Sequence, residues 1–262
     1  MGCLLFMKNQ KKDFKKVTAA LLIGRKGSVG FPGKNTFRIS GKPLAEYPLL
    51  AARKSTEVER IFVSTDCPQI RKLIDKYKAE WIPRPARLAT KDALGEDAFE
   101  HGYRVMQDVL AHEKKELEFL VLLFANAPAV TGAMIDCGIE ALRKNMEADS
   151  AVSVSIYNMW SPIRARRLDS QGYLQPFAPF QTFRNISTIS CDRDSQGNVY
   201  FADMGVSVVR PRCLENLGRG LLPQKWMGRK ILPIYSWGGC DIDYPWQIPQ
   251  IQYWLKKNKL PN

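Results

Sequence analysis

Near-continuous apolar runs alternate with stretches of helical periodicity along the first half of the chain. The segments VTAALLI (17–23), RIFVSTD (60–66), the shorter AEWIP (79–83), EFLVLLFA (118–125) and SAVSVSIY (150–157) are rich in β-branched and aromatic residues, and each reads as a strand. Between them, apolar positions recur at the spacing of one helical face over residues 43–55, 68–78, 96–112 and 133–146. Strands that are apolar on both faces need a cover on each side, and helices between successive strands provide it. The pattern predicts an α/β fold: an open, Rossmann-like three-layer sandwich around a mostly parallel sheet.

After Tyr157 the pattern changes. Residues 158–198 are polar, aromatic and turn-rich, and DSQG occurs at 169–172 and again at 194–197, which reads as two hairpin turns with no longer repeat around them. This segment is expected to protrude from the core, to cover substrate and to join two copies in a homodimer. VYFADMGVSVVRP (199–211) and KILPIYSW (230–237) return to the core pattern, and a last helix is expected from 245 to 256. The predicted division is a flexible basic extension over 1–16 and a single domain over 17–262.

Composition narrows the function classes. With 262 residues, 45% of them hydrophobic, the chain can bury one substantial core. No run approaches the roughly 18 consecutive apolar residues of a membrane span. The opening MGCLLFMKNQKKDFKK places lysines where a signal peptide has its cleavage site, and Met7 stands where an acylation motif has Ser or Thr. A cytoplasmic protein without a membrane partner is expected. The six cysteines are scattered without a Cys-x-x-Cys pair, and there are only two histidines, which argues against zinc and for reduced thiols. His101 and His112 fall in one predicted helix, too far apart for an adjacent ligand pair, and read as surface residues.

Charge is the first informative excess: 39 Lys plus Arg against 26 Asp plus Glu, a formal +13. Such a field attracts anions, nucleic acid among them. No arginine stripe interleaved with stacking aromatics appears, so a small phosphorylated or carboxylated substrate fits at least as well, and no nucleic-acid partner is expected.

Two stretches carry candidate chemistry. GRKGSVGFPGKN (24–35) follows the first strand, and ligands of open α/β sheets bind beyond the carboxyl ends of the strands. Gly24, Gly27 and Gly30 allow tight turns that aim N–H groups at an anion, while Arg25, Lys26 and Lys34 supply charge. The spacing fits neither the dinucleotide fingerprint nor the P-loop. The second stretch is GGCDIDYPW (238–246). Asp241 and Asp243, read as the end of an apolar strand, point to one side because strand side chains alternate. Paired hard carboxylates suit Mg²⁺, which completes its octahedron with water and phosphate. Asp243 has an alternative role as the cap of the helix near 245.

GRKGSVGFPGKN with GKPLAEYPLLAA, then RIFVSTDCPQI, IPRPARLATKDA and CDIDYPW, together resemble the acylneuraminate cytidylyltransferases, the CMP-sialic acid synthetases. The shared pattern is R-x-G-S-K-G-x-x-x-K-N after the first strand, V-S-T-D after the second, R-P-x-x-L-A and a terminal D-I-D, over about residues 17–255. The resemblance implies a sheet of the nucleotide-diphospho-sugar transferase type with a protruding hairpin excursion. It implies transfer of CMP from CTP to the anomeric hydroxyl of a nine-carbon keto-sugar acid, with release of pyrophosphate and with Mg²⁺ as cofactor. Arg25 and Lys34 are then expected on the CTP phosphates, with Gly24, Lys26, Ser28, Gly30 and Asn35 forming the nucleotide loop. Arg84 and the backbone near Ala93 are expected at the cytidine, and Asp241 and Asp243 at the metal.

The sequence departs from that pattern twice. The lysine of G-S-K-G is Val29, with Lys26 the nearest replacement. The Q-P-T-S-P-L-R-T stretch of the family is here FANAPAVT (124–131), so its glutamine and arginine are absent. Asn126 is the candidate substitute contact, Phe124 and Pro128 are read as wall and turn, and Arg193 and Asp203 are candidate sugar ligands. The departures leave open a divergent subgroup with another acidic sugar, reduced activity, the eight-carbon 3-deoxy-manno-octulosonate as acceptor, or a non-catalytic nucleotide- or sugar-binding relative.

Overall fold

The computed structural model describes residues 14–183 and 186–259. The expected extension over 1–16 therefore lies outside the described residues, apart from Phe14, Lys15 and Lys16. The chain opens with β1 (Lys15–Gly24), a hairpin of β2 (Arg38–Ile39) and β3 (Lys42–Pro43), α1 (Glu46–Lys54) and β4 (Arg60–Thr65). It continues through α2 (Pro68–Arg71), α3 (Leu73–Lys76), β5 (Glu80–Pro83), α4 (Gly95–His112), β6 (Lys115–Phe124), α5 (Gly132–Lys144) and β7 (Ser150–Ile156). The small hairpin β8 (Arg166–Leu168) and β9 (Leu174–Pro176) precedes β10 (Tyr200–Val209), α6 (Arg212–Glu215), β11 (Ile231–Tyr235) and α7 (Ile248–Lys257).

Seven strands form one sheet in the order β11-β7-β10-β6-β1-β4-β5. All neighbours run parallel except β10, which is antiparallel to both β6 and β7. From β1 the chain builds outward to β4 and β5, then returns to place β6 on the other side of β1. That reversal leaves a crevice between the carboxyl ends of β1 and β6, the position at which open α/β sheets bind ligands.

Alternation along β1 explains the three layers. Ala20 and Leu22 join the cluster beneath α1 and α5, with Leu49, Val121, Ile135 and Ile139. Ala19, Leu21 and Ile23 face α4 and meet Phe99, Tyr103 and Met106. Gly102 lets α4 ride close, since a Cβ there would lie 2.6 Å from Leu21 Cδ2. A third cluster, with Ile39, Leu44, Tyr47, Ile242, Ile251 and Trp254, fastens the C-terminal segment to the β2–β3 hairpin.

Local details differ from the sequence reading for identifiable reasons. The helix expected from 43 begins at Glu46, because Pro43 pairs with Arg38 in the hairpin. The helix over 68–78 is two four-residue pieces meeting at Lys72. The first DSQG is a hairpin turn: Asp169 accepts the amides of Gln171 and Tyr173 at 2.9 Å, Gly172 has φ 86°, and β8 pairs with β9. The second is a turn with Gly197 at φ 77°, and no strand pair flanks it.

Asp149 ties the start of β7 to the segment before β11. Its carboxylate accepts the Arg229 and Lys230 amides at 2.9 and 3.0 Å and Arg212 Nε at 2.9 Å. Burial pushes this carboxyl up, but those bonds outweigh it and hold it below the usual range. A depressed carboxyl contributes stability above its unfolded value of about 3.9, and the contribution is lost as pH falls through the lower folded value. Asp149→Asn is thus expected to cost roughly 1 kcal/mol at neutral pH. Thermal melts should show the gap to the parent protein closing as the pH drops below about 4.

Candidate active site

The crevice at the strand reversal is a cavity of about 160 Å³ lined by Gly24, Arg25, Gly27, Lys34, Asn35, Arg84, Ala93, Gly95, Phe124 and Asn126. Its floor is the end of β1 pressed against β6. A Cβ on Gly24 would lie 2.6 Å from Ala125 Cβ and 2.8 Å from Ile70 Cδ1, so this close approach requires glycine. The basic loop is braced from inside. Thr65 Oγ1 donates to Gly24 O at 2.6 Å, Asn35 Nδ2 to Arg25 O at 2.9 Å, and the Lys26 amide to Asp66 Oδ1 at 2.9 Å. Asn35 Oδ1 is buried without a partner.

Three cations meet at this small volume. Burial, opposed by Asp66 and reinforced by Arg25, lowers the Arg84 guanidinium from its ordinary value, and arginine still keeps its charge. Arg84 Nε is anchored to Leu88 O at 2.8 Å. Partly desolvated cations held side by side favour an anion between them. A larger hollow of about 540 Å³ lies at the opposite, amino-terminal end of β1 and β6, beside Lys16 and Lys115. Its arginines, Arg143 and Arg210, are already engaged with Glu57, Glu118 and the Leu142 and Ala148 carbonyls.

The acidic pair reaches the crevice by another route than the sequence suggested. β11 ends at Tyr235, so Asp241 and Asp243 lie in an irregular segment beyond the strand. Ile242, fully buried between them, is the anchor: its amide donates to Asn126 O at 2.8 Å, and Asn126 Nδ2 donates back to Ile242 O at 3.1 Å. Lys34 Nζ is ion-paired with Asp243 Oδ1, and Asn126 Nδ2 lies 3.4 Å from Asp241 Oδ2. Tyr244, not Asp243, occupies the cap position before the turn Pro245–Gln247. The glutamine Oε1 accepts the Asp243 and Tyr244 amides at 2.7 and 2.8 Å, and its Nε2 donates to Asp241 O at 3.0 Å.

Burial first, and the neighbouring Asp243 charge second, push the Asp241 carboxyl above its usual range, with Lys34 opposing them. Among the described residues no group of three or more His, Cys, Asp or Glu side chains could hold a metal. A half-buried carboxylate, Asp241, beside an exposed one, Asp243, matches the donor set of Mg²⁺, which binds one or two carboxylates plus water and phosphate.

Comparison with known proteins decides the family. The profile described as Cytidylyltransferase matches residues 19–167. The chain belongs to the cytidylyltransferase family. It is 30% identical over 191 residues to a CMP-N,N'-diacetyllegionaminic acid synthase of Legionella pneumophila, covering 70% of this chain and 76% of that one. It is 33% identical over 89 residues to an N-acylneuraminate cytidylyltransferase of Escherichia coli, covering 34% of this chain and 21% of that protein's length. The solved CMP:2-keto-3-deoxy-manno-octonic acid synthetase in complex with CTP shares the fold, with TM-score 0.62 at 15% identity over 93% of this chain and 100% of that one.

The matched span includes Gly24, Arg25, Lys34, Asn35, Arg84, Ala93 and Asn126, and stops before the acidic pair. Gly30 joins the two. A Cβ there would lie 2.9 Å from Asp243 O and 3.2 Å from Tyr244 Cε1. Gly30→Ala is expected to push the basic loop off the acidic segment and lower turnover about 10²-fold, since a shift near 1 Å in a reacting site costs that much. Steady-state rates beside an unchanged circular dichroism spectrum check it.

Four expected site residues lie elsewhere. The Lys26 side chain is exposed and outside the crevice lining, Ser28 is half-buried and also outside it, and Val29 is 77% exposed. Arg193 sits in a separate hollow with Tyr157, Asn158 and Trp160 and contacts Asp194 at 3.4 Å. Asp203, read as a sugar ligand, is 3% exposed and its oxygens are taken by Ser153, Ser155 and the Gly205 amide. His101, read as a surface residue, is half-buried; burial first, then Arg87 and Arg84, lower its imidazole. Two residues were missed. Asp66 ends the quoted VSTD, and its place at a strand's carboxyl end was the available signal. Gln247 carried none, because it acts by folding back onto backbone.

Proposed function

We propose that this chain transfers CMP from CTP to the anomeric hydroxyl of a sialic-acid-like nonulosonic acid, releasing pyrophosphate. One observation supports this reading above the others: Arg25, Lys34 and Arg84 share one crevice with Asn126, which also touches the acidic segment. In the reaction, the hydroxyl oxygen bonds to the α-phosphorus as the bond to the bridging oxygen breaks. Pyrophosphate leaves with that electron pair, and the hydroxyl proton passes to solvent.

Arg25 and Lys34 would hold the phosphates and balance the charge that builds on their oxygens, fixed in place before the reaction begins. Arg84 and Ala93 are suited to orient the nucleoside end, and Asn35, bonded to Arg25 O, shapes the loop around the phosphates. Asp241 and Asp243 would hold Mg²⁺, which when bound would supply positive charge to balance the phosphates and would make the sugar hydroxyl a better nucleophile. Lys34, already against Asp243, would link the metal side of the site to the phosphate side.

The nonulosonic reading follows the legionaminic and acylneuraminic relatives. The eight-carbon octulosonate is the second reading, supported by sequence relatives described as 3-deoxy-manno-octulosonate cytidylyltransferases. A homodimer is part of the proposal. Met159, Trp160, Leu168, Tyr173, Leu174 and Phe177, all in the excursion, are each more than 60% exposed, an apolar surface that a second copy would cover. Light scattering reads the dimer. Incubation with CTP, Mg²⁺ and a panel of nine- and eight-carbon keto-sugar acids, with products read by mass, tests the activity. A CMP conjugate of a nonulosonic acid is expected. A conjugate of the eight-carbon acid alone selects the second reading, and no conjugate with any acid overturns both.

A further inference from the structure

Asp203 is a buried carboxylate whose hydrogen-bond partners are all neutral. It lies on β10 where the pairing with β7 slips between Ala202 and Ser207, next to Met204 at φ 60°. Oδ1 accepts from Ser153 Oγ and from the Gly205 amide at 3.2 Å, and Oδ2 from Ser155 Oγ at 2.7 Å. The two serines are fully buried and stand two residues apart on β7, on one face of the sheet.

The consequence lies one bond further out. A hydroxyl has a single proton, so a serine that donates to Asp203 offers only lone pairs elsewhere. Ser153 Oγ then accepts the Val206 amide at 3.0 Å, and Ser155 Oγ accepts the Gly239 amide at 3.2 Å. Gly239 packs directly on the carboxylate, where a Cβ would lie 2.5 Å from Asp203 Oδ2. From the other side, Tyr157 Oη donates to Gly239 O at 2.8 Å. Gly239 stands two residues before Asp241, so the backbone entering the acidic pair is clamped between Tyr157 and the Asp203–Ser155 relay.

We infer that Asp203 is a positioning residue for the Asp241–Asp243 pair, acting through Ser155 and the Gly239 amide. This rests on the reading that the pair binds a divalent cation. Only a carboxylate accepts from both serines at once. An asparagine offers one acceptor and one donor, which leaves one hydroxyl proton without its acceptor and loosens the Gly239 bond.

The test compares Asp203→Asn and Ser155→Ala with the parent protein. Mn²⁺ uptake at saturating CTP is read by electron paramagnetic resonance, and CTP affinity without metal by tryptophan fluorescence. Both variants are expected to bind CTP within twofold of the parent and to need about tenfold more Mn²⁺, the usual effect of losing an outer-shell support. Variants that melt earlier but take up Mn²⁺ as the parent does would make Asp203 a purely structural residue and overturn the inference. A parent protein that takes up no Mn²⁺ would instead remove the metal reading, and the inference with it. Should Asp203→Asn fail to fold, Ser155→Ala, which keeps the carboxylate, carries the comparison.

Discussion

Asp241→Ala is expected to lower kcat by about 10²–10³, with a much smaller change in the KM for CTP, because the lost group acts on charge that develops in the transition state. The side chain lies beside Asp243 and Asn126, and its carboxyl is held in a partly buried place where burial and a like charge both disfavour ionisation. A carboxylate kept there with one long amide contact fits a cation, and a residue with that role affects rate more than ground-state binding. Steady-state pyrophosphate release over a CTP series reads both constants. A relative that only senses nucleotide would show weaker CTP binding and no rate to lose.

The second large effect is expected at Lys34. Its ammonium lines the crevice and pairs with Asp243, and its side chain is only 15% exposed. Lys34→Met keeps the apolar stem and removes the charge. It is expected to lower kcat/KM for CTP about 10²–10³-fold, the range found when one transition-state donor is removed. The partners touch, so Lys34→Met combined with Asp243→Asn should cost clearly less than the two single losses together. Additive losses would separate Lys34 from the acidic pair.

The sheet was legible because its central strands are buried on both faces and so carry unbroken apolar runs. Lys15, Lys16, Lys115 and Glu116 pair with one another at the polar ends of β1 and β6, and no apolar signal marked those extensions. The insertion of β10 between β6 and β7 was not legible, since it is set by contacts far apart in sequence. Within the site, the glycines and cations of the basic loop announced themselves by residue type and by place after a strand. Aspartate suggests exposure, yet Asp203 lies buried beneath Gly239 where the pairing of β10 slips. Asp241 and Asp243 were found through a strand that ends six residues too early to hold Asp241; the buried Ile242 alternates their side chains instead.

A crystal structure with CTP and Mn²⁺ bound tests the account most directly. The triphosphate is expected against Arg25 and Lys34 at the carboxyl ends of β1 and β6, with the anomalous peak on Asp241 and Asp243. Nucleotide seated elsewhere, such as the hollow beside Lys16 and Lys115, or a metal peak away from that pair, would contradict it.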